Sequence, residues 1–411
     1  MNHEAKFTLS QIFSFPVLVA ALGYLVDMYD LFIFSIVRVP SLKALGLNED
    51  QLLSEGVFLL NIQMAGLLIG GITWGILGDK RGRLSVLFGS ILIYSLANIG
   101  NGFVQTLEQY AVLRFIAGFG LAGELGAGIT LVAEILPKSI RGYGTTLVAT
   151  MGVLGAILAY VITYLFAWRM AYWIGGGLGL LLLLMRLKVM ESGLFERLKS
   201  TRVKRGNLWQ LFSQKKRAIK YINSILIGLP IWFTVGILIT FSPEFAKALG
   251  VSVSVVAGKA VMIFFIGQVA GDIFSGLGSQ YFQSRKKMIR LFILGSLAFV
   301  LVYLYAPVSS STGFYVLCAC LGFFNGYWTL FVTLGAELFG TNLRATVATS
   351  TPNFVRGSVI PMTTLFLWAK SHWGILQSAL LVAALAYGIA LFCLMFLEET
   401  FAKDLDYLEQ D

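Results

Sequence analysis

Long apolar runs alternate with short polar breaks along the whole chain, and this alternation predicts membrane-crossing helices. Each run is near the length of about 20 residues that crosses the hydrocarbon core of a bilayer. Twelve such runs can be distinguished, with boundaries set by the polar breaks. The predicted helices span about 14–39, 55–78, 84–104, 109–136, 142–166, 170–189, 219–241, 256–277, 288–306, 313–339, 346–369 and 375–397.

The polar breaks divide these helices into two sets of six. The largest break is a basic block from Arg186 to Lys220, which separates helix 6 from helix 7. Most of the 31 Lys and Arg residues fall on cytoplasmic segments if both chain ends are cytoplasmic. We therefore predict a six-helix bundle over 1–189, a cytoplasmic linker over 190–218, and a second bundle with a short cytoplasmic tail over 219–411.

The composition supports a membrane protein and excludes a soluble enzyme or a secreted domain. Hydrophobic residues make up 57% of the 411 residues and charged residues only 13%, against about 25% charged in soluble domains. The net charge of +10 is scattered between apolar runs, which argues against a nucleic-acid-binding face. All three cysteines lie inside apolar runs, so we expect neither a disulfide framework nor a zinc site. We also expect no bound cofactor.

Two groups of residues recur at nearly constant offsets, which indicates an internal duplication. Gly66, Gly70 and Gly75 of helix 2 recur in helix 8 as Gly267, Gly271 and Gly276, 201 residues later. The set Gly123, Glu134 and Arg141 recurs 203 residues later as Gly326, Glu337 and Arg344. Two parallel halves of six helices are a transporter plan.

The turn between helices 2 and 3 combines small and charged residues over Gly75 to Arg83. Gly75 permits close helix packing, and Asp79 can pair with Arg83 or cap a neighbouring helix. These parts suit a latch that closes in one conformational state. The alternative is an ordinary basic cytoplasmic loop.

With these motifs the chain resembles the major facilitator superfamily, over essentially its whole length. The resemblance rests on the Gly75–Arg83 loop, on Arg114 with Gly118, Gly120 and Gly123, on the string Glu134, Pro137, Arg141, Gly142, and on the pairs Glu191, Ser192 and Glu399, Thr400. It implies an all-α membrane protein with twelve helices in two pseudo-symmetric bundles, working by alternating access. Glu134, Arg141, Glu337 and Arg344 would then form a cytoplasmic charge network that gates the cycle.

Helix 1 carries two aspartates, Asp27 and Asp30, on one face with Gly23. Acids at membrane depth normally face the bundle interior and mark ion or proton routes. The string Asp27, Met28, Tyr29, Asp30 is similar to the paired-aspartate first helix of aromatic-acid and metabolite proton symporters. The string also resembles sugar-porter relatives, in which the aspartate matching Asp30 takes the proton and pairs with the arginine matching Arg114. We therefore expect Asp27 and Asp30 to take the proton and Arg114 to tune them. A static ion pair is the alternative.

Three further charged residues inside the predicted helices are candidates for the site or its gate. Arg356 is near the middle of helix 11 and could hold a substrate carboxylate with its planar fork, or form a salt bridge across the halves to Asp27 or Glu124. Glu124 on helix 4 could be a site acid or a hydrogen-bonded packing residue. Asp272, near the cytoplasmic end of helix 8, resembles a gate residue.

Polar and aromatic residues at middle depth could line a substrate cavity. The candidates are Gln63, Trp232, Gln268, Asn325, Trp328 and Asn353. Helix 7 lacks the paired glutamines with which sugar porters bind hydroxyls, so sugar is disfavoured.

The sequence thus predicts a proton-coupled symporter for uptake of a small organic anion such as a carboxylate metabolite. We expect a monomer in the lipid of a bacterial inner membrane, with protons and the substrate as its partners. The open alternatives are a zwitterion or osmolyte, a sugar, an organic cation, or a non-transporting sensor built on the same fold.

Overall fold

The computed structural model describes residues 13–81, 83–124, 136, 141–191 and 208–401 of the chain. These residues are almost entirely helical, and eight of the helical stretches are long and apolar enough to cross a membrane. The last of the eight, Thr346–Phe396, is 51 residues long and contains two crossings. The fold is the predicted one, an all-α membrane protein of twelve helices in two bundles.

The twelve helices are numbered α1 to α12 in chain order, and several consist of more than one segment. The N-terminal bundle has α1 Phe15–Ala44, α2 Gln51–Arg81, α3 Arg83–Asn101, α4 Leu107–Leu121, α5 Arg141–Leu165 and α6 Trp168–Glu191. After a short turn of 3₁₀ helix at Leu208–Leu211, the C-terminal bundle starts with α7, which comprises Lys215–Leu226, Leu229–Phe233, Thr234–Ile239 and Ser242–Ala248. It continues with α8 Ala257–Tyr281, α9 Arg285–Tyr305, α10 in the segments Ser311–Asn325 and Trp328–Glu337, and α11 from Thr341–Gly357. The final stretch Val359–Phe396 turns sharply at Gly374, so that its first part extends α11 and its second part is α12.

Because the helices alternate in direction, α1 begins and α12 ends at the same face of the molecule, named here the terminal face. The other face, where α1 and α7 end, is the opposite face. Its connections include Leu45–Asp50 between α1 and α2 and Leu249–Val256 between α7 and α8.

Matching glycines bring two pairs of helices into backbone contact, one pair in each bundle. A Cβ on Gly66 of α2 would collide with the Phe115 carbonyl of α4, and a Cβ on Gly267 of α8 would collide with the Ala319 carbonyl of α10. Gly118 and Gly322, on the other member of each pair, allow the same approach in return. The two bundles therefore repeat one packing arrangement, as the offset of the glycines indicated.

Three helices are interrupted near the middle of the molecule, where the two bundles meet. In α4, a turn at Ala122 and Gly123 separates Leu107–Leu121 from the helical Glu124, and α10 is broken at Gly326 and Tyr327. The helix α7 contains a π-helical segment, Thr234–Ile239, directly after Trp232 and Phe233. Broken and π-helical segments in membrane helices occur where side chains or free backbone groups line a binding site.

Candidate functional site

A small cavity lies between the two bundles, at the level of these interruptions, and in this conformation it has room for about one water molecule. Five helices, α1, α7, α8, α10 and α11, contribute its walls. The lining residues are Tyr24, Met28, Phe32, Ile231, Trp232, Val235, Phe265, Gln268, Asn325, Trp328 and Arg356.

Aromatic rings form much of the wall on the side of α1, α7 and α8. Phe32 stacks on Trp232 with the two planes 13° apart, and it packs against Phe265 at a centroid distance of 4.5 Å. The indole Nε1 of Trp232 and both side-chain polar atoms of Asn325 have no hydrogen-bond partner among the described residues. The cavity thus offers flat apolar surfaces together with a few unpaired polar groups.

Arg356 is the cationic group of the cavity, and it faces Asp27 across the interface between the bundles. Its Nη2 lies 3.7 Å from Oδ2 of Asp27, and both side chains are almost completely buried. Its Nη1 and Nε have no hydrogen-bond partner among the described residues, and neither carboxylate oxygen of Asp27 has one. The contact is therefore an ion pair without hydrogen-bond geometry. It is the salt bridge to Asp27 that the sequence offered as one alternative for Arg356. Part of the guanidinium is still unpaired.

Asp30 is buried one turn beyond Asp27, and no ion pair joins it to Arg114 in this conformation. Arg114 instead donates to the side-chain oxygen of Gln63, and its guanidinium lies 4.9 Å from the ring of Phe34. The charges of Arg114 and Asp27 both act on Asp30 through space. Both oxygens of Asp30 lack a hydrogen-bond partner within the described part of the chain.

Glu124 forms a bidentate ion pair with Arg186 of α6. Arg186 Nη1 donates to Oε2 over 3.0 Å, Nη2 donates to Oε1, and both side chains are buried. Gly23 makes room for the pair, since a Cβ there would lie 2.6 Å from Glu124 Oε1. Sequence reasoning assigned Arg186 to the cytoplasmic block and missed this role. The available signal was that Arg186 interrupts the apolar run of helix 6.

The remaining predicted cavity residues have different positions. Gln268, Asn325, Trp232 and Trp328 line the cavity. Gln63 contacts Arg114 and lies within the N-terminal bundle. Asn353 of α11 donates to the carbonyl of Ala122 over 3.1 Å and so ties the C-terminal bundle to the end of α4.

Asp272 caps the second segment of the broken α10. Its Oδ1 accepts a hydrogen bond of 3.2 Å from the backbone N–H of Thr329, in the first turn of that segment. A carboxylate at a helix N-terminus is favoured by the free N–H groups and the helix dipole. Asp272 is thus next to the cavity rather than on its wall, one turn beyond Gln268.

The opposite face is closed by contacts between the bundles. The buried Arg38 of α1 bonds to Glu244 of α7 at 2.7 Å, donates to the Leu52 carbonyl, and packs against Phe241. The hydroxyls of Thr240 of α7 and Ser35 of α1 lie 3.1 Å apart. Sequence reasoning did not identify Arg38 or Glu244, because nothing in the sequence links residues so far apart.

An exposed ion pair adds to this closure at the surface of the same face. Glu49 bonds to Lys43 of its own bundle at 3.2 Å and to Lys247 of the other bundle at 3.3 Å. Hydrogen bonds from Lys43, and then from Lys247, hold the pKa of Glu49 below its usual value. The carboxylate therefore stays ionised across the neutral pH range.

At the terminal face, Glu337 joins a cluster at the end of the C-terminal bundle. It accepts hydrogen bonds from Arg285 over 3.4 Å and from the Thr400 hydroxyl over 2.7 Å. Glu399 accepts from Ser284 and from the first backbone N–H groups of α9. Burial alone would raise the pKa of Glu399, but these hydrogen bonds outweigh it and lower that pKa.

Most of the predicted gate lies beyond what the structure describes. Glu134 is outside the described residues. The same holds for the side chains of Asp79, Arg83, Arg141 and Arg344, and for the surroundings of Gly75. Their gating role stays a prediction.

Comparison with known proteins gives one family and a consistent group of relatives. The family model described as Major Facilitator Superfamily matches residues 20–360. The chain is 29% identical over 399 residues to the "Probable 4-methylmuconolactone transporter" of Cupriavidus pinatubonensis, covering 92% of this chain and 89% of that protein. It is 25% identical to the "Niacin transporter NiaP" of Acinetobacter baylyi, with 94% of each chain covered.

Among solved structures, the chain is similar to the proton:xylose symporter XylE bound to 6-bromo-6-deoxy-D-glucose. The TM-score is 0.71, and the match covers 97% of this chain and 98% of that one. At 20% identity this likeness shows the fold alone.

Proposed function

Because the chain belongs to the Major Facilitator Superfamily, a family of transporters rather than enzymes, we propose that it takes up a small ring carboxylate together with a proton. The observation that carries this proposal is the position of Arg356. It is a buried cation, incompletely paired, on the wall of an aromatic cavity between the two bundles.

The lining of the cavity favours a flat anion, and the site must widen beyond this conformation to admit one. The carboxylate would bind the unpaired edge of the Arg356 guanidinium, whose planar fork suits bidentate recognition. The ring would lie against Trp232, Phe32 and Phe265, which present apolar faces. Among the relatives, one is described as a transporter of 4-methylmuconolactone and another as a transporter of niacin, and both are small rings.

The balance of buried charges supports coupling to a proton. The acids Asp27, Asp30 and Glu124 are matched by the bases Arg114, Arg186 and Arg356, all of them buried. The sequence indicates only two of these bases at membrane depth, Arg114 and Arg356, because Arg186 begins the basic cytoplasmic block. Together these six side chains carry no net charge, so a bound carboxylate adds an uncompensated charge that a buried site disfavours. One proton on an aspartate restores neutrality.

Asp27 is the acid best placed to exchange that proton for substrate. While ionised, it attracts Arg356 across 3.7 Å. When protonated, it releases the guanidinium, which can then hold the carboxylate. Asp30 lies one helical turn away and shares the proton with Asp27. The proton and the carboxylate therefore favour each other's binding, which is the requirement for symport.

The proposal includes the arrangement of the molecule in the cell. We propose that the terminal face is cytoplasmic, that the protein is a monomer of the bacterial inner membrane, and that the linker joins bundles at 1–189 and 219–411. The loop at Asp79 and Arg83 would latch the cytoplasmic gate, together with the Glu134, Arg141, Glu337 and Arg344 network.

A zwitterion is the second candidate substrate, because Arg356 on the cavity wall lies 3.7 Å from Asp27, so both signs of charge occur at one site. An ammonium or betaine group near Asp27 and a carboxylate near Arg356 would satisfy both. This candidate requires Asp27 to stay ionised in the loaded state, so it predicts binding without proton uptake.

The test is thermal stabilisation of the purified protein by matched ligands. A ligand that binds only the native state raises Tm by mass action. We expect nicotinate, benzoate or 4-methylmuconolactone to raise Tm of the wild type, whereas the neutral nicotinamide does not. Arg356→Ala should abolish the shift, and Arg290→Ala, at an exposed position of α9, should retain it.

Two results would contradict the proposal. One is an equal shift with nicotinamide and nicotinate, which would remove the carboxylate from the recognition. The other is a full shift in Arg356→Ala. Stabilisation by betaine or proline alone would select the zwitterion.

A further inference from the structure

A stripe of polar side chains runs along one face of α3, inside the N-terminal bundle. Tyr94, Asn98 and Asn101 are spaced by four and three residues, so they share one face of the helix, and all three are completely buried. Leu92 and Leu96, elsewhere on α3, are about half exposed, as expected of a surface that contacts lipid. None of the three polar residues lines the cavity between the bundles.

Several polar atoms of this stripe have no protein partner within the described residues. They are the hydroxyl of Tyr94, Nδ2 of Asn98 and Oδ1 of Asn101. Asn101 reaches Oδ1 of Asn98 only at 3.5 Å, the limit of a hydrogen bond. Leaving such groups dry costs about 1–3 kcal/mol each, so buried polar groups of this kind are normally bridged by ordered water.

The stripe leads from the opposite face to Asp30. Asn101 is the last residue of α3 at that face. The amide of Asn98 lies next to Asp30, outside hydrogen-bond geometry. The Tyr94 hydroxyl is within electrostatic reach of both Asp30 and Glu124. The other charged groups that act on Asp30 are Asp27 on its own helix and Arg114 of α4.

The facing helix α6 packs closely beside the stripe and places only glycines there. Its Gly175 lies against Asp30, where a Cβ would be 2.6 Å from Oδ1. One turn further, a Cβ on Gly179 would collide with the hydroxyl of Ser95. Glycines at both positions keep the polar face of α3 and the carboxylate of α1 free of side chains from α6.

We propose that this stripe is the route by which the proton reaches Asp30, separate from the path of the substrate. A hydronium ion at the opposite face loses one proton to a chain of waters held by Asn101 and Asn98. Each water accepts one proton and passes one on, and the Asp30 carboxylate gains the O–H bond. The amides order the waters and do not titrate. This inference rests on the proposed function, since it assumes that Asp30 is loaded during transport.

Proton uptake into proteoliposomes that contain a trapped pH indicator tests the proton route separately from the coupling of the proton to the substrate. An inward gradient of nicotinate should drive proton uptake by the wild type. Asn98→Leu fills the route with an apolar group and should slow proton-coupled uptake about tenfold, the effect of losing about one hydrogen bond. Asn98→Ser retains a polar group and space for water, and should be near wild type. Gln105→Leu makes the same amide-to-leucine change at an exposed position beyond α3 and should have no effect.

Counterflow of labelled nicotinate, measured in the same vesicles at equal pH on both sides, reports folded protein because exchange requires no net proton movement. We expect Asn98→Leu to retain it. If Asn98→Leu loses counterflow as well, Asn101→Leu is tested instead, at the outer end of the stripe. It should likewise slow proton-coupled uptake and retain counterflow. Proton uptake within twofold of wild type in a folded leucine variant would overturn the route and leave the coupling intact. No proton uptake by the wild type during nicotinate transport would overturn the proposed function itself.

Discussion

The Glu124–Arg186 pair illustrates how single residues determine the charge of the site. Two full charges are buried in the N-terminal bundle and joined by two hydrogen bonds. Breaking such a pair from one side leaves an uncompensated buried charge, which costs about 3–5 kcal/mol. Removing both charges together is far less costly, because no ion is then left behind.

We therefore expect Glu124→Gln to lower the free energy of unfolding by about 3–5 kcal/mol, and the double variant Glu124→Gln with Arg186→Gln to recover most of this loss. Denaturant titration of the purified protein measures both. Glu49→Gln, in the exposed pair with Lys43 and Lys247, is the matched control and should stay close to wild type. A loss below about 1 kcal/mol in Glu124→Gln would show that the pair is not a buried ion pair.

The sequence reveals buried charges but not their partners, because the partners depend on how the helices pack. Asp27, Asp30 and Arg356 stand out because a charge inside an apolar run is costly and is rarely present without a role. Their partners could not be read in the same way, since Arg114 contacts Gln63 rather than Asp30, and that choice depends on helix packing. The spacing of Tyr94, Asn98 and Asn101 on α3 is also visible in the sequence as a periodic pattern. Only the structure shows that this polar face leads to Asp30.

At the scale of elements, the twelve helices followed from hydrophobic length, but their interruptions did not. The break of α10 at Gly326 occurs where the duplication aligns it with Gly123, close to the end of α4. The π-helical segment of α7 contains no residue that distinguishes it from an ordinary helix. The Thr240 hydroxyl, directly after this segment, donates to the Val235 carbonyl of the same helix and lies 3.1 Å from the Ser35 hydroxyl of α1, which joins the segment to α1.

The start of α9 depends on a carboxylate supplied from beyond α12. Glu399 accepts from Ser284, Arg285 and Lys286, so it binds the free N–H groups of the helix. Because the pKa of Glu399 is lowered in the folded state, its stabilising effect is present above the unfolded pKa of about 4.3. It is lost as the pH falls through the lower, folded value.

We expect Glu399→Gln to lower Tm at pH 7, and the difference from wild type to shrink below about pH 4, as the wild-type carboxyl becomes protonated too. Thermal unfolding at a series of pH values measures this. Asp50→Asn, in an exposed loop at the opposite face, should leave Tm nearly unchanged throughout. An equal effect of Glu399→Gln at pH 7 and below pH 4 would show that the charge of Glu399 plays no part.

At the scale of the whole molecule, the opposite face is closed by ion pairs that span the bundles. Arg38 is completely buried in this closure, whereas Glu244 is 19% exposed. Alternating access requires the bundles to separate here. Arg38 would then be exposed to water, so losing its partner is less costly in the open state than in the closed one.

Glu244→Gln should therefore shift the population toward the state that is open at the opposite face. Spin labels at Asn48 and Ser252, on exposed loops of the two bundles, would report a longer distance by electron–electron double resonance. The native cysteines Cys318, Cys320 and Cys393 are first replaced. Lys43→Gln, which leaves the pair of Arg38 and Glu244 intact, should keep the wild-type distance. An unchanged distance in Glu244→Gln would show that the pair does not hold this face closed.

The central claim is that a proton on Asp27 and a carboxylate on Arg356 bind together. Its most direct test is the number of protons taken up when nicotinate or benzoate binds to the purified protein in weakly buffered solution near pH 7. We expect about one proton per bound carboxylate in the wild type, and close to none in Asp27→Asn, which should still bind the anion because Arg356 is already released. Carboxylate binding without proton uptake in the wild type, or equal uptake in Asp27→Asn, would contradict the account.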